Sequence, residues 1–205
     1  RGLGDVYKRQ GFGPAAWIAQ MIAEFLVRDT RQQVAFCDVY IDGILLVCQH
    51  QSELEEALST LRARLQAYDV QLSEDTGPQR ALAFRGVWLN FPERSIALAP
   101  QFMAKFGRTV PTSMVATWND WRSSIAKVLY AHLAKGQSLG EIVPLLRFAA
   151  RHTLTKPSTK VELWESARSV WTSAVSVVRA NIPVVVYPND VFPVSFTCLL
   201  YTSDA

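Results

Sequence analysis

Apolar and polar positions are organised most sharply between Val34 and Cys48. Two apolar runs, Val34-Ala35-Phe36-Cys37-Asp38-Val39 and Ile44-Leu45-Leu46-Val47-Cys48, enclose Tyr40-Ile41-Asp42-Gly43. Asp-Gly between β-branched and aromatic residues predicts a hairpin, because Gly adopts positive φ freely and Asp tolerates it. The register has two solutions: a turn on Asp42-Gly43 sets Cys37 opposite Cys48, and a turn one residue earlier sets it opposite Leu46. A second hairpin is predicted from Ala81–Leu89 and Ser95–Leu98, which alternate around residues 90–94. Val70-Gln71-Leu72 reads as a further short strand.

Helical periodicity fills most of the remainder. Ala16, Ile18, Ala19, Ile22, Phe25 and Leu26 predict a helix over residues 15–27, with Gly13-Pro14 as its start signal. Ser52-Glu53-Leu54-Glu55 has the form of a capping box, opening a helix with a stripe of Leu54, Leu58, Leu61 and Leu65. From Pro100 onward strand signals vanish. Met114, Trp118, Trp121, Ile125, Val128 and His132 follow a 3.6-residue period, and so do Leu163, Ala167, Val170, Trp171, Ala174 and Val178, ending at Asn181 and Pro183. The tryptophans fall on apolar faces, which predicts core packing. The fold class expected is α+β.

Composition narrows the classes further. With 49% hydrophobic and 19% charged residues the chain can bury a core. No apolar run reaches the 18 or so residues of a membrane span, so no membrane partner is expected. Cys37 and Cys48 lie inside the hairpin strands without metal-ligand spacing, as the buried reduced thiols of an intracellular protein would. His132 and His152 have no ligand-spaced partners.

The two ends read differently from the interior. Residues 1–10 and 198–205 resemble translated sequencing-adapter sequence, and are expected to pack poorly as processing scars. Without them the net charge of +3 falls to +2, too small to argue for nucleic acid by itself. Binding would need a local cluster; the C-terminal half offers Arg122, Lys127, Lys135, Arg147, Arg151, Lys156 and Lys160.

In their order, the Gly11-Phe12-Gly13-Pro14 loop and helix, the Tyr-Ile-Asp-Gly hairpin, the charged helix, the Phe84-Arg85-Gly86 hairpin and the helical half resemble a retrotransposon-type reverse transcriptase. The resemblance covers roughly residues 11–155. It implies a partial palm over residues 11–98, a helical thumb and connection over 99–181, and over 182–197 the start of a ribonuclease H domain, on the strength of Phe196-Thr197. The family's palm hairpin carries Tyr-x-Asp-Asp, and Gly43 replaces the second aspartate here. The family turn is centred one residue before Asp42-Gly43, which favours Cys37 opposite Leu46.

The resemblance also implies site residues. Asp42 would be the surviving catalytic carboxylate and metal ligand, with Mg²⁺ or Mn²⁺ as cofactor. Tyr40, Phe12 and Gly13 would lie against the nucleotide, and Phe84, Arg85 and Gly86 would grip the primer end. The partners implied are an RNA or DNA primer–template and deoxynucleoside triphosphates. A lysine that the family usually carries near Thr76 is missing, and a second palm carboxylate would come from a strand preceding Gly11. Because that strand is missing, one face of the central hairpin is expected to be exposed and apolar. Three functions therefore compete: a piece of an active polymerase, a decayed or repurposed copy that binds nucleic acid without catalysis, and a helical interaction module.

Overall fold

The computed structural model describes residues 14–186 and, for the backbone, 196–202. The chain is α+β and divides into two compact units. The first holds residues 14–85, 89–94 and 196–202 of those described, and the second holds 86–88 and 95–186.

Unit 1 opens with helix α1 (Ala15–Leu26), followed by strands β1 (Phe36–Tyr40) and β2 (Gly43–Cys48) and helix α2 (Gln51–Ala67). Strands β3 (Leu72–Asp75), β4 (Ala81–Phe84) and β10 (Phe196–Thr202) complete it. Its sheet runs β1-β2-β10-β3. Strand alternation splits β2 between two cores. Ile44, Leu46 and Cys48 pack with Leu26, Leu54, Leu58, Leu61 and Leu65 of the helices, and Leu45 and Val47 pack with Leu82 and Phe84.

Three expectations need correction in this unit. β2 is buried along its whole length, so only β1 of the central hairpin presents an exposed apolar face. Residues 198–202 do not stand apart from the fold: their backbone pairs antiparallel with β2, Cys198 opposite Leu46, and with β3 on the other side. The physical reason is that β2 has a second hydrogen-bonding edge, and backbone pairing accepts any β-prone segment of the right length. Helix α2 begins at Gln51 with His50 as the extended N-cap residue, and Glu53 accepts the His50 backbone N–H at 3.3 Å, so Ser52 lies inside the helix. Phe25, part of the apolar spacing that predicted α1, is exposed, its ring edge-on to Tyr68 and beneath the Arg64 guanidinium.

Helix α2 ends in a Schellman motif. The Val70 N–H donates to Leu65 O at 2.9 Å and the Asp69 N–H to Gln66 O at 3.1 Å, with Asp69 left-handed at φ +54°. This turn delays the following strand, which starts at Leu72 rather than Val70.

Strand β5 (Val87–Asn90) straddles the division of the chain, and unit 2 continues with β6 (Ser95–Leu98), α3 (Pro100–Thr109), β7 (Val115–Thr117) and α4 (Trp118–Ala134). It closes with α5 (Val143–Arg151), β8 (Lys160–Glu162), α6 (Glu165–Ala180) and β9 (Val184–Val185). Both predicted helical stripes are present from Trp118 and from Ala167 onward, while Met114, which is exposed, and Leu163 precede their helices; Trp118, Trp121 and Trp171 are buried with Phe106 and Phe148 in one core. Trp121 sits edge-on to both Phe148 and Trp171, and its Nε1–H donates to Val161 O at 3.0 Å. The expected lack of strands after Pro100 is overturned by β7 and β8, three residues each and paired antiparallel. Strands that short carry no period to read.

Asn181 ends α6 in the left-handed conformation, and its side-chain amide holds both backbone groups of Leu98, at 2.8 and 3.0 Å. β9 pairs antiparallel with β6, Ser95 opposite Val185.

Candidate functional site: the tip of the central hairpin

The β1–β2 register pairs Tyr40 with Gly43 and Cys37 with Leu46. The turn therefore consists of Ile41 and Asp42, one residue earlier than an Asp-Gly turn, with Cys37 opposite Leu46 as expected. Ile41 bears the consequence, with φ +55°. A β-branched side chain is strained there, at a cost on the order of 1–3 kcal/mol, and such strain persists only where surrounding contacts impose it.

Gln20, half-buried on α1, supplies those contacts. Its Oε1 accepts the Ile41 N–H at 2.7 Å, and its Nε2 donates to Val39 O at 3.0 Å and to Glu24 Oε1 at 3.0 Å. One amide thus clamps the backbone on both sides of Tyr40 and sets where Asp42 projects. Sequence reasoning missed Gln20. The signal was a polar residue inside the apolar run Trp17-Ile18-Ala19-Gln20-Met21-Ile22.

The outward face of β1 carries Phe36, Asp38 and Tyr40 at alternate positions. Phe36 is 55% and Tyr40 47% exposed. The Arg85 guanidinium lies over the Tyr40 ring, 4.3 Å from its centroid, and one of its nitrogens is 3.2 Å from Asp38 Oδ2. Arg85 is not a mid-strand arginine: it leads the two-residue turn after β4, with φ +52° and Gly86 at φ +80°. Positive φ at both positions directs its side chain out of the strand pleat.

The other predicted site residues are dispersed. Phe84 is buried against the β2 side chains, so its ring belongs to the core. Gly86 lies in unit 2, where a Cβ would meet the Tyr130 hydroxyl at 3.4 Å and the Phe102 ring at 3.5 Å. Phe12 and Gly13 fall outside the described residues. Asp38 and Asp42 do not form a pair: strand alternation stops at Tyr40, Asp42 belongs to the turn, and Asp38 is taken by Arg85.

A magnesium or manganese pair needs converging oxygens. Among the described residues no group of three or more His, Cys, Asp and Glu converges. Asp42 alone at the tip does not fit a resident metal pair. Burial pushes both hairpin thiols, Cys37 and Cys48, above the ordinary thiol range, with Arg31 opposing the shift at Cys37. They remain free and protonated at neutral pH.

Compared with protein-family models, with curated proteins and with solved structures, the chain matches none. No helix among the described residues is long and apolar enough to cross a membrane.

Proposed function

We propose that this chain is a palm-and-thumb piece of a retroelement RNA-directed DNA polymerase, and that with its own residues it binds primer–template without adding nucleotides. The observation that carries the reading is the outward face of β1. An aromatic ring held beneath a guanidinium, beside a second exposed aromatic and next to the single carboxylate of the hairpin tip, is suited to a nucleic-acid strand. Bases stack on aromatic rings with little regard to sequence, each contact being worth about 1–3 kcal/mol, and arginine adds a phosphate contact.

Two-metal nucleotidyl transfer would require a second palm carboxylate that these residues do not provide. Gly43 in place of an aspartate, and an Asp38 already paired with Arg85, both favour a copy that lacks transfer. Asp42 would be the first ligand were the set completed.

Fluorescence anisotropy with a labelled primer–template tests the reading. Tyr40→Ala and Arg85→Gln are each expected to weaken binding about tenfold, the lower half of the stacking range. Asp42→Asn should leave affinity unchanged, and primer extension with Mg²⁺ or Mn²⁺ should be absent. Binding that ignores Tyr40→Ala would overturn the proposal. Extension by the unaltered chain that Asp42→Asn abolishes would restore catalysis to it.

A further inference from the structure

Unit 2 contains a second set of positive groups that the hairpin reading does not use. A depression of about 590 Å³ opens between the end of α3, the loop that follows it and the start of α4. Arg108 and Lys160 line it, together with the hydroxyls of Thr112, Ser113 and Ser123. Among the described residues neither cation forms an ion pair or donates a hydrogen bond. Asp120 is the one carboxylate in the lining, and it already accepts the Thr117 hydroxyl at 2.6 Å as part of the α4 N-cap.

A third cation stands behind the wall. Lys127 Nζ donates to Thr109 Oγ1 at 2.7 Å and to Ser123 Oγ at 3.3 Å, both residues of the lining. Its ammonium is pushed below the ordinary lysine range, first by burial and then by the like charge of Lys105. The lining therefore carries two cations against the single carboxylate of Asp120, with Lys127 behind the wall adding a third positive group. The α4 N-terminus adds its dipole, although its first amides are occupied: the Trp118 N–H donates to Thr159 O and the Asn119 N–H to Pro157 O. Paired cations, hydroxyl donors and a helix N-terminus around one concavity make a phosphate environment.

We propose that this depression binds a phosphate group through Arg108 and Lys160, with the hydroxyls of Thr112, Ser113 and Ser123 as neutral donors. The same chemistry serves a nucleic-acid backbone or a free polyphosphate. The site is independent of the hairpin face and of any catalytic role for Asp42.

The test compares the full chain with Arg108→Gln/Lys160→Gln and with a control of equal charge change, Arg28→Gln/Arg179→Gln. All four positions are exposed, and circular dichroism checks the fold. The probes are tripolyphosphate by calorimetry and a labelled single-stranded oligonucleotide by anisotropy across a salt series. If the site holds a backbone phosphate, the double substitution lowers oligonucleotide affinity at least tenfold at low salt. It also reduces the salt slope by about 1.4, from about 0.7 for each of two lost contacts. Loss of tripolyphosphate binding with oligonucleotide affinity unchanged supports the site and assigns it to a free phosphate. If neither probe distinguishes the double substitution from the control, the proposal is overturned.

Discussion

The two units differ in where backbone strain and exposed aromatic surface lie. In unit 2 Trp121, Phe106 and Phe148 are wholly enclosed, Trp121 has its hydrogen-bond partner, the exposed large hydrophobics are non-aromatic apart from Trp88, and the one non-glycine residue at positive φ is Asn181, at a helix end where that conformation is common. Unit 1 carries Ile41, Asp69, Arg85 and Arg94 at positive φ, and exposes Trp17, Phe25, Phe36, Tyr40 and Tyr68. Strain and exposed aromatic surface that a protein retains are usually retained for contact with something else. The contrast separates a helical scaffold from a working face, and locates that face on α1 and β1.

Substitutions can break or sharpen the contrast. The largest effect is expected from Trp121→Ala, which should cost about 3–5 kcal/mol in urea unfolding because it removes a large, wholly enclosed ring and leaves a cavity. A loss below about 1 kcal/mol would mean that the unit 2 scaffold does not rest on this ring. Gln20→Ala should cost about 1–3 kcal/mol, since the half-buried Ile41 N–H and Val39 O lose their partner. It should also weaken primer–template binding by letting Tyr40 move; unchanged affinity would remove Gln20 as a positioning residue.

Smaller effects are expected where strain can be relieved. Asp69→Gly should stabilise by about 0.5–1 kcal/mol, because glycine takes the left-handed C-terminal position without a Cβ penalty. A destabilisation there would show that the Asp69 side chain matters more than its backbone. The smallest effect concerns the thiols. Both folded values lie above the unfolded value near 9, so the native state holds these protons more tightly. Their contribution is complete below about pH 9 and is lost as pH rises through the folded values. In a Cys198→Ser background, thiolate absorbance of the folded chain should therefore develop only above pH 9, and later than in urea.

Local pattern made much of the fold legible. The stripes on α4 and α6, the α1 limits and the Asn181 stop follow from periodicity and turn chemistry, whereas the Cys37–Leu46 register was expected from the family resemblance, the Asp-Gly pair alone pointing to Cys48. What stayed hidden depended on partners distant in sequence. Gln20 meets the hairpin about 20 residues later, and β7 meets β8 more than 40 residues away; the polar break at Gln20 marks the residue but not its partner, and β7 and β8 carry no local mark. The pairing of residues 196–202 with β2 was hidden for the same reason: an open strand edge selects on backbone geometry. At the candidate site, Tyr40 and Asp42 were readable from the hairpin motif. The turn that aims Arg85 onto Tyr40 was not, because arginine is a poor predictor of positive φ.

The account stands on nucleic acid lying along the outward face of β1. Photo-crosslinking reads that directly, using a primer–template with a photoreactive base at the primer 3′ end followed by peptide mapping. Crosslinks should concentrate on Phe36 and Tyr40 and fall sharply in Tyr40→Ala. Crosslinks that avoid residues 36–42 and map instead to the α6 helix would contradict the account.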